Sequence, residues 1–110
     1  MKVLVVDDDD SVRNVLTIAL SVEDGVSEVR TANDGTDAVR VCSEFRPDVV
    51  VLDYEMPEMD GKTAASHIRR LHPAARIVAF SGVLEGKPDW ADDYLLKGDL
   101  PDFPFLAQGA

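Results

Sequence analysis

Hydrophobic and polar positions along the chain follow two alternating patterns. Short runs of consecutive apolar, mostly β-branched residues predict strands, and an unbroken run indicates a strand that is covered on both faces. Between these runs, apolar residues recur every three or four positions, which is the spacing of one face of an α-helix. The strands predicted in this way are residues 2–6, 27–32, 49–53, 76–81 and 94–97.

Three helices are predicted between the first four strands. The first covers residues 11–20, and either Asp10 or Ser11 is a suitable residue to cap it. The other two lie between pairs of helix-breaking segments, 33–35 and 46–48 for the second and 54–61 and 72–73 for the third. Such a β-α-β-α-β-α-β order with short connections predicts an α/β fold with a parallel sheet and helices on both faces.

The residues that could bind a ligand or take part in a reaction lie at the carboxyl ends of the predicted strands. In a parallel sheet these ends form one rim, where ligands bind. The residues are Asp7 and Asp8 after the first strand, Asp53 at the end of the third, Ser81 at the end of the fourth and Lys97 at the end of the fifth.

The first strand runs directly into four consecutive carboxylates, Asp7–Asp10. Gathered carboxylates are costly unless a cation pairs with them. Oxygen ligands without a nearby His or Cys favour Mg²⁺, with Ca²⁺ or Mn²⁺ as alternatives. We therefore predict that Asp7 and Asp8 are metal-site acids, with Asp8 the direct ligand, and that Asp9 and Asp10 are solvated or cap the helix.

A magnesium site at this rim suits phosphoryl transfer. Asp53 ends a buried strand, and an aspartate can carry a phosphoryl group as an acyl phosphate. The charge on the transferring group has to be neutralised, which we assign to the metal, the Lys97 ammonium and the Ser81 hydroxyl. Gly82 leaves room for the group to enter.

Composition narrows the choice of partners. The chain has 110 residues and a net charge of −10, which argues against nucleic acid and anionic membranes as partners. Its single cysteine, Cys42, cannot form an internal disulfide and is predicted to be buried on a helix. The absence of a long apolar run or a leader-like start predicts a cytoplasmic location. We expect one domain over residues 1–110.

Five blocks of the chain resemble, in order, the response-regulator receiver domain, the phosphoacceptor module of two-component signalling. The longest block, 46–61, is the most specific of them. The blocks are LVVDDDDSVR (4–13), ANDGTDAV (32–39), RPDVVVLDYEMPEMDG (46–61), IVAFSG (77–82) and DDYLLKG (92–98).

The resemblance implies a flavodoxin-like, doubly wound five-stranded parallel sheet with strand order 2-1-3-4-5. It implies that Asp53 takes a phosphoryl group from the phosphohistidine of a sensor histidine kinase or a phosphotransfer protein. The chain would then be a phosphoacceptor that assists its own phosphoryl transfer and not an enzyme acting on a separate substrate. Ser81 and Tyr94 match the switch residues of the family, and Lys97 matches its lysine.

The resemblance also implies a ligand set for Mg²⁺, for which Mn²⁺ is a substitute. Asp8 and Asp53 bind the ion beside the backbone carbonyl of Glu55, and Asp7 completes the acidic pair. The Glu55 side chain has two readings, either near the phosphoryl group, where it influences hydrolysis, or solvated in the loop.

Two regions depart from the family pattern. The segment between Ser81 and Lys97 contains two glycines and a proline, so helix four is expected to be shortened or absent, with Trp90 as a packing anchor or a partner contact. Gly98 replaces the proline that normally follows the lysine, so the cis peptide of the family is not expected. Prolines in the tail, residues 99–110, predict that helix five is absent or irregular.

The apolar residues of this tail have two readings. They either fold back over the sheet beyond the matching core, residues 1–98, or form a patch for a partner or a dimer contact. They are Phe103, Phe105 and Leu106.

Three functions remain open on these grounds. The first is a phosphoacceptor that signals by phosphorylation-dependent binding to a downstream protein. The second is a receiver-fold binding module that acts without phosphorylation through its atypical carboxyl-terminal face. The third, a Mg²⁺-dependent hydrolase that uses Asp53 and Glu55, is disfavoured because 110 residues leave no room for a substrate-binding cap.

Overall fold

A computed structural model describes residues 1–54, 56, 59–82, 86–99 and 103. Strands and helices alternate as the apolar pattern predicts. In chain order the elements are β1 (Lys2–Val6), α1 (Asp10–Ser21), β2 (Glu28–Ala32), α2 (Gly35–Phe45), β3 (Val49–Asp53), α3 (Gly61–Leu71), β4 (Arg76–Ser81) and β5 (Asp93–Leu96), followed by a 3-10 turn over Lys97–Asp99.

The five strands form one parallel sheet in the order β2-β1-β3-β4-β5. This confirms the flavodoxin-like order 2-1-3-4-5. The strand order reverses between β1 and β3, where the connections leave the sheet in opposite directions and open a crevice at the carboxyl ends. Val6 pairs with Leu52, so the next residues, Asp7 and Asp53, leave these two strands at the same level.

The sheet is covered on both faces, which explains why β3 shows no polar alternation and is buried at all five positions. On one face, α2 and α3 pack on residues such as Leu4 and Leu52. On the other, α1 packs on residues such as Val5 and Phe80. Cys42 on α2 is fully buried, as predicted, and burial raises the pKa of its thiol.

At the amino terminus of α1 the cap is Asp9, which was predicted to be solvated or to cap the helix, and neither Asp10 nor Ser11 takes this role. The Asp9 backbone is extended, and its carboxylate accepts hydrogen bonds from the amides of Ser11 at 2.8 Å and Val12 at 3.3 Å. All three residues are of types that cap helices. The position at which the chain turns away from β1 decides which of them caps the helix. This position depends on the tertiary structure and cannot be read from the capping preferences of single residues.

The connection between β4 and β5 contains no α-helix among its described residues, Gly82 and 86–92. This agrees with the prediction that helix four is shortened or absent. Asp92 fixes the end of the connection, since its amide donates to the Ile77 carbonyl at 2.8 Å and its carboxylate accepts from the Ile77 amide at 2.9 Å. From α3, Arg69 donates to the Trp90 carbonyl at 2.9 Å and pairs with Asp92 at 3.2 Å.

Two apolar side chains seat this connection on the sheet. Ala91 is buried, and Trp90 packs against the core on the side of α2 and α3. The Trp90 ring lies 5.9 Å, centroid to centroid, from that of Tyr54. Trp90 is thus a packing anchor, the first of its two predicted roles.

The tail prediction is testable at one residue. Phe103 is buried on the face covered by α1, so it covers the sheet there. The rest of the predicted irregular fifth helix, including Phe105 and Leu106, lies outside the described residues. Within the described part of the chain, no helix has both the length and the apolar character needed to cross a membrane.

Candidate functional site

A cavity of about 300 Å³ opens at the carboxyl ends of β1, β3 and β4. The five candidate residues that were predicted from the strand ends all line this cavity. Two further residues, Asp9 and Gly82, line it as well. The lining residues are Asp7, Asp8, Asp9, Asp53, Ser81, Gly82 and Lys97.

The buried polar side chains of the described residues converge on this cavity. They are Asp7, Asp53 and Ser81, with 0%, 5% and 9% of their surface exposed. Burying a carboxylate is costly unless a cation or hydrogen bonds compensate it. Two buried carboxylates at one cavity fit a positively charged ligand.

Asp7 is held from several directions. Its amide donates to the Ala32 carbonyl of β2 at 3.2 Å, and its Oδ1 accepts from the Asp9 amide at 2.9 Å. Its Oδ2 lies 3.3 Å from Lys97 Nζ, which makes an ion pair. This oxygen accepts no hydrogen bond from the residues that the structure describes. One buried lone-pair site of Asp7 thus remains for a ligand.

Lys97 has freedom to serve a second anion. It follows β5 directly, and 35% of its side chain is exposed. Its ammonium lies 5.2 Å from the centroid of the Phe80 ring, which supports it from the sheet side. The strand was predicted over 94–97 but ends at Leu96, so Lys97 begins the 3-10 turn.

Three carboxylates offer a cation site. One oxygen each from Asp7, Asp8 and Asp53 lies within 4.8 Å of the others, and Asp8 is exposed while the other two are buried. A set of oxygen ligands fits a hard cation such as Mg²⁺, which takes one or two carboxylates and keeps several waters. The proposed fourth ligand, the Glu55 carbonyl, lies outside the described residues.

The connection from β3 to α3 fixes the backbone around Asp53. The Tyr54 amide donates to the Phe80 carbonyl at 2.9 Å and so extends the strand pairing past Asp53. The Gly61 amide donates to the Tyr54 carbonyl at 3.2 Å. A Cβ atom on Gly61 would lie 2.7 Å from the Asp53 carbonyl oxygen, so α3 approaches this closely only because the residue is glycine.

The start of α3 is capped by Asp60, whose carboxylate accepts from the Thr63 amide at 2.8 Å. Hydrogen bonds from Thr63 lower the pKa of Asp60, so the cap stays ionised. It therefore favours the helix in which Gly61 makes its close approach.

Tyr94 stands apart from the cavity. It lies on β5, where it pairs with Ala79, and 40% of its surface is exposed. It is not among the residues that line the cavity. Arg13, which donates to the Asp7 carbonyl at 2.5 Å, was not predicted as a residue of the site. The spacing of three residues between Asp10 and Arg13 was the signal available.

The chain matches a known family over most of its length. Residues 3–98 match the family described as response regulator receiver domain. The chain is 42% identical over 86 residues to a protein-glutamate methylesterase/protein-glutamine glutaminase of Caldanaerobacter subterraneus subsp. tengcongensis. It is 41% identical over 87 residues to one from Geobacter metallireducens. These matches cover 78% and 79% of this chain but 23% and 25% of those proteins. The chain thus spans about a quarter of the length of these relatives.

Solved structures give the same result. The response regulator domain of Thermotoga maritima CheB aligns with a TM-score of 0.80 and 29% identity, over 98% of this chain and 86% of that chain. The receiver domain of the Arabidopsis thaliana histidine kinase CKI1, complexed with Mg²⁺, aligns with a TM-score of 0.81 and 30% identity, over 98% and 90%.

Proposed function

The chain belongs to the response regulator receiver family, and we propose that it accepts a phosphoryl group on Asp53 in a Mg²⁺-dependent reaction. The phosphoryl group comes from the phosphohistidine of a sensor histidine kinase or a phosphotransfer protein. The observation that carries this proposal is the burial of Asp7, Asp53 and Ser81 around one cavity that Lys97 also lines.

The transfer uses the Asp53 carboxylate as the nucleophile. One of its oxygens attacks phosphorus, the P–N bond of the phosphohistidine breaks, and the imidazole leaves with the electron pair of that bond. Among the described residues, none would lie within 4 Å of a Cβ atom on Gly82, so on their side the space beside Ser81 is open. That opening supports the entry of a donor side chain at this point of the rim.

Charge neutralisation is divided among the groups around Asp53. Asp8 and Asp53, beside the Glu55 carbonyl and with Asp7 completing the acidic pair, would hold Mg²⁺, which would supply positive charge to the phosphoryl oxygens. The Lys97 ammonium, now paired with Asp7, turns to a phosphoryl oxygen. The Ser81 hydroxyl donates to another.

Output depends on protein binding. We assign the switch to Ser81 and Tyr94, since Ser81 lines the cavity and the half-exposed Tyr94 ring lies on the adjacent strand β5. Phosphorylation then changes the surface offered to a downstream protein or to a second copy of the chain. Location in the cytoplasm and residues 1–110 as one domain both stay predictions.

A second function has one observation in its favour. The described residues 86–92 form a pinned, non-helical connection where the family has helix four. A surface of this kind could equally be the binding surface of a module that acts without phosphorylation. The two functions differ in whether a phosphoryl mimic at Asp53 changes the protein.

An amide NMR titration separates them. Mg²⁺ is added first and beryllofluoride, a phosphoryl mimic, second, with the Asp53→Asn variant as the control. We expect shifts at Asp8, Asp53, Ser81 and Lys97 that vanish in the variant, and their spread to Tyr94 would support the switch. If the folded wild-type protein binds Mg²⁺ but shows no amide shifts on addition of beryllofluoride, the result would favour the second function.

A further inference from the structure

Arg13 makes two contacts with the acidic run that precedes α1. Its Nη1 donates to the Asp7 carbonyl at 2.5 Å, and its Nη2 pairs with the Asp10 carboxylate. The Arg13 side chain is only 15% exposed, whereas that of Asp10 is 85% exposed. A guanidinium group held this firmly is oriented by its backbone contact to Asp7 and not by the solvated partner alone.

The contact to Asp7 completes the restraint of the loop between β1 and α1. The Asp7 amide is bonded to β2, and its carbonyl to Arg13. On the other side, the Asp9 amide donates to Asp7 Oδ1 at 2.9 Å, and the Asp9 carbonyl accepts from the Arg13 amide at 3.1 Å. Asp8 is thus the one residue between two positions that are both fixed, so its backbone direction follows from them.

We propose that Arg13 is a positioning residue for the cation site. By holding the Asp7 carbonyl, it fixes the turn that directs the Asp8 carboxylate towards the oxygens of Asp7 and Asp53. The inference rests on the proposed function, because it concerns how the acidic pair binds Mg²⁺. Arg13 does not touch the cation or the phosphoryl group.

Positioning can be distinguished from a role of Arg13 as a plain positive charge. A cation beside the site repels Mg²⁺, so its removal by Arg13→Gln would tighten binding if charge were its only effect. Arg13→Lys keeps the charge but loses the planar fork that reaches two acceptors at once. If Arg13 positions the loop, both variants bind Mg²⁺ more weakly.

The test measures the Mg²⁺ dissociation constant of the full chain by calorimetry and records amide NMR spectra of the metal-free protein. We expect Arg13→Gln to weaken Mg²⁺ binding about 10-fold, which is the low end of the range for residues that support metal ligands. Arg13→Lys should weaken it less. In metal-free spectra the Asp8 and Asp9 amides should shift in both variants. Arg40→Gln is the matched control, because Arg40 also pairs with an acid three residues before it, on α2.

The outcomes are distinct. Unchanged or tighter Mg²⁺ binding in both Arg13 variants, with the wild type binding normally, would overturn this inference and leave the proposed function standing. A wild-type protein that binds no Mg²⁺ would overturn the proposed function and this inference with it. A loss of affinity in Arg40→Gln equal to that in Arg13→Gln would also overturn the inference, because the loss would then not depend on the contact between Arg13 and the Asp7 carbonyl.

Discussion

The acidic cavity and the connection between β4 and β5 are built in different ways. In the cavity, Asp7, Asp53 and Ser81 each end a strand or directly follow one, so the parallel sheet itself brings them together. In the connection, residues 86–92 have no repeating pattern and depend on single contacts to other elements, such as Arg69 to Trp90. Regular structure gathers the first region, whereas individual side chains hold the second.

The two regions meet at the beginning of α3. The Tyr54 ring next to Asp53 faces the Trp90 ring, and a Cβ atom on Gly61 would touch both the Asp53 carbonyl and Trp90. The comparison therefore makes a definite claim. Changes inside one region should leave the other intact, and changes at Gly61 should affect both.

The largest effect is expected for Trp90→Ala. Trp90 packs on the core and on Tyr54, so we expect a loss of about 3 kcal/mol in the free energy of unfolding, at the low end for large aromatic residues because Trp90 is partly exposed. Mg²⁺ affinity should not change. Urea unfolding measures the free energy of unfolding. It is followed by circular dichroism and not by tryptophan fluorescence, because the variant removes the single tryptophan.

Tyr94→Ala is the control for this variant, because its half-exposed ring should contribute only about 0.5 kcal/mol or less to stability. A clear loss of Mg²⁺ affinity in Trp90→Ala would show that the two regions are not separable.

The second effect concerns binding and not stability. Asp8→Ala removes an exposed ligand, so we expect Mg²⁺ affinity to fall on the order of 100-fold, more than for a supporting residue, with stability unchanged. Asp9→Ala is its matched partner. It removes the cap of α1 and should cost about 1 kcal/mol of stability with a much smaller loss of affinity. Calorimetry and urea unfolding on both variants check this, and equal losses of affinity would argue against Asp8 as the direct ligand.

The third effect is smaller but reaches both regions. Gly61→Ala places a Cβ atom 2.7 Å from the Asp53 carbonyl oxygen and 3.0 Å from the Trp90 ring. We expect a loss of about 2 kcal/mol in stability from overpacking, accompanied by weaker Mg²⁺ binding. The control is Gly98→Ala, where a Cβ atom would have none of the described residues within 4 Å. Loss of stability without any change in Mg²⁺ binding would place Gly61 in the second region alone.

The same contrast explains what could be predicted from the sequence. An unbroken apolar run such as 49–52 predicts a buried strand, and a parallel sheet then requires the residue that ends this strand, Asp53, to lie at the rim. The five residues at the strand ends followed from this rule, whereas Tyr94 and the Glu55 carbonyl came only from the resemblance. Neither the choice of Asp9 over Asp10 and Ser11 as the cap nor the support from Arg13 followed from the rule, because both depend on the angle at which the chain leaves β1. The hydrogen bonds between Asp92 and Ile77 could not be predicted either, because no sequence periodicity indicates a contact between residues fifteen positions apart.

The central claim is that Asp53 accepts a phosphoryl group with the help of Mg²⁺. The most direct measurement is the intact mass of the protein after incubation with an acyl phosphate donor such as acetyl phosphate, with Mg²⁺ or with a chelator. The account predicts a gain of one phosphoryl group in the wild type with Mg²⁺, and none with the chelator or in Asp53→Asn. No gain in a folded wild type that binds Mg²⁺, or an equal gain in Asp53→Asn, would contradict it.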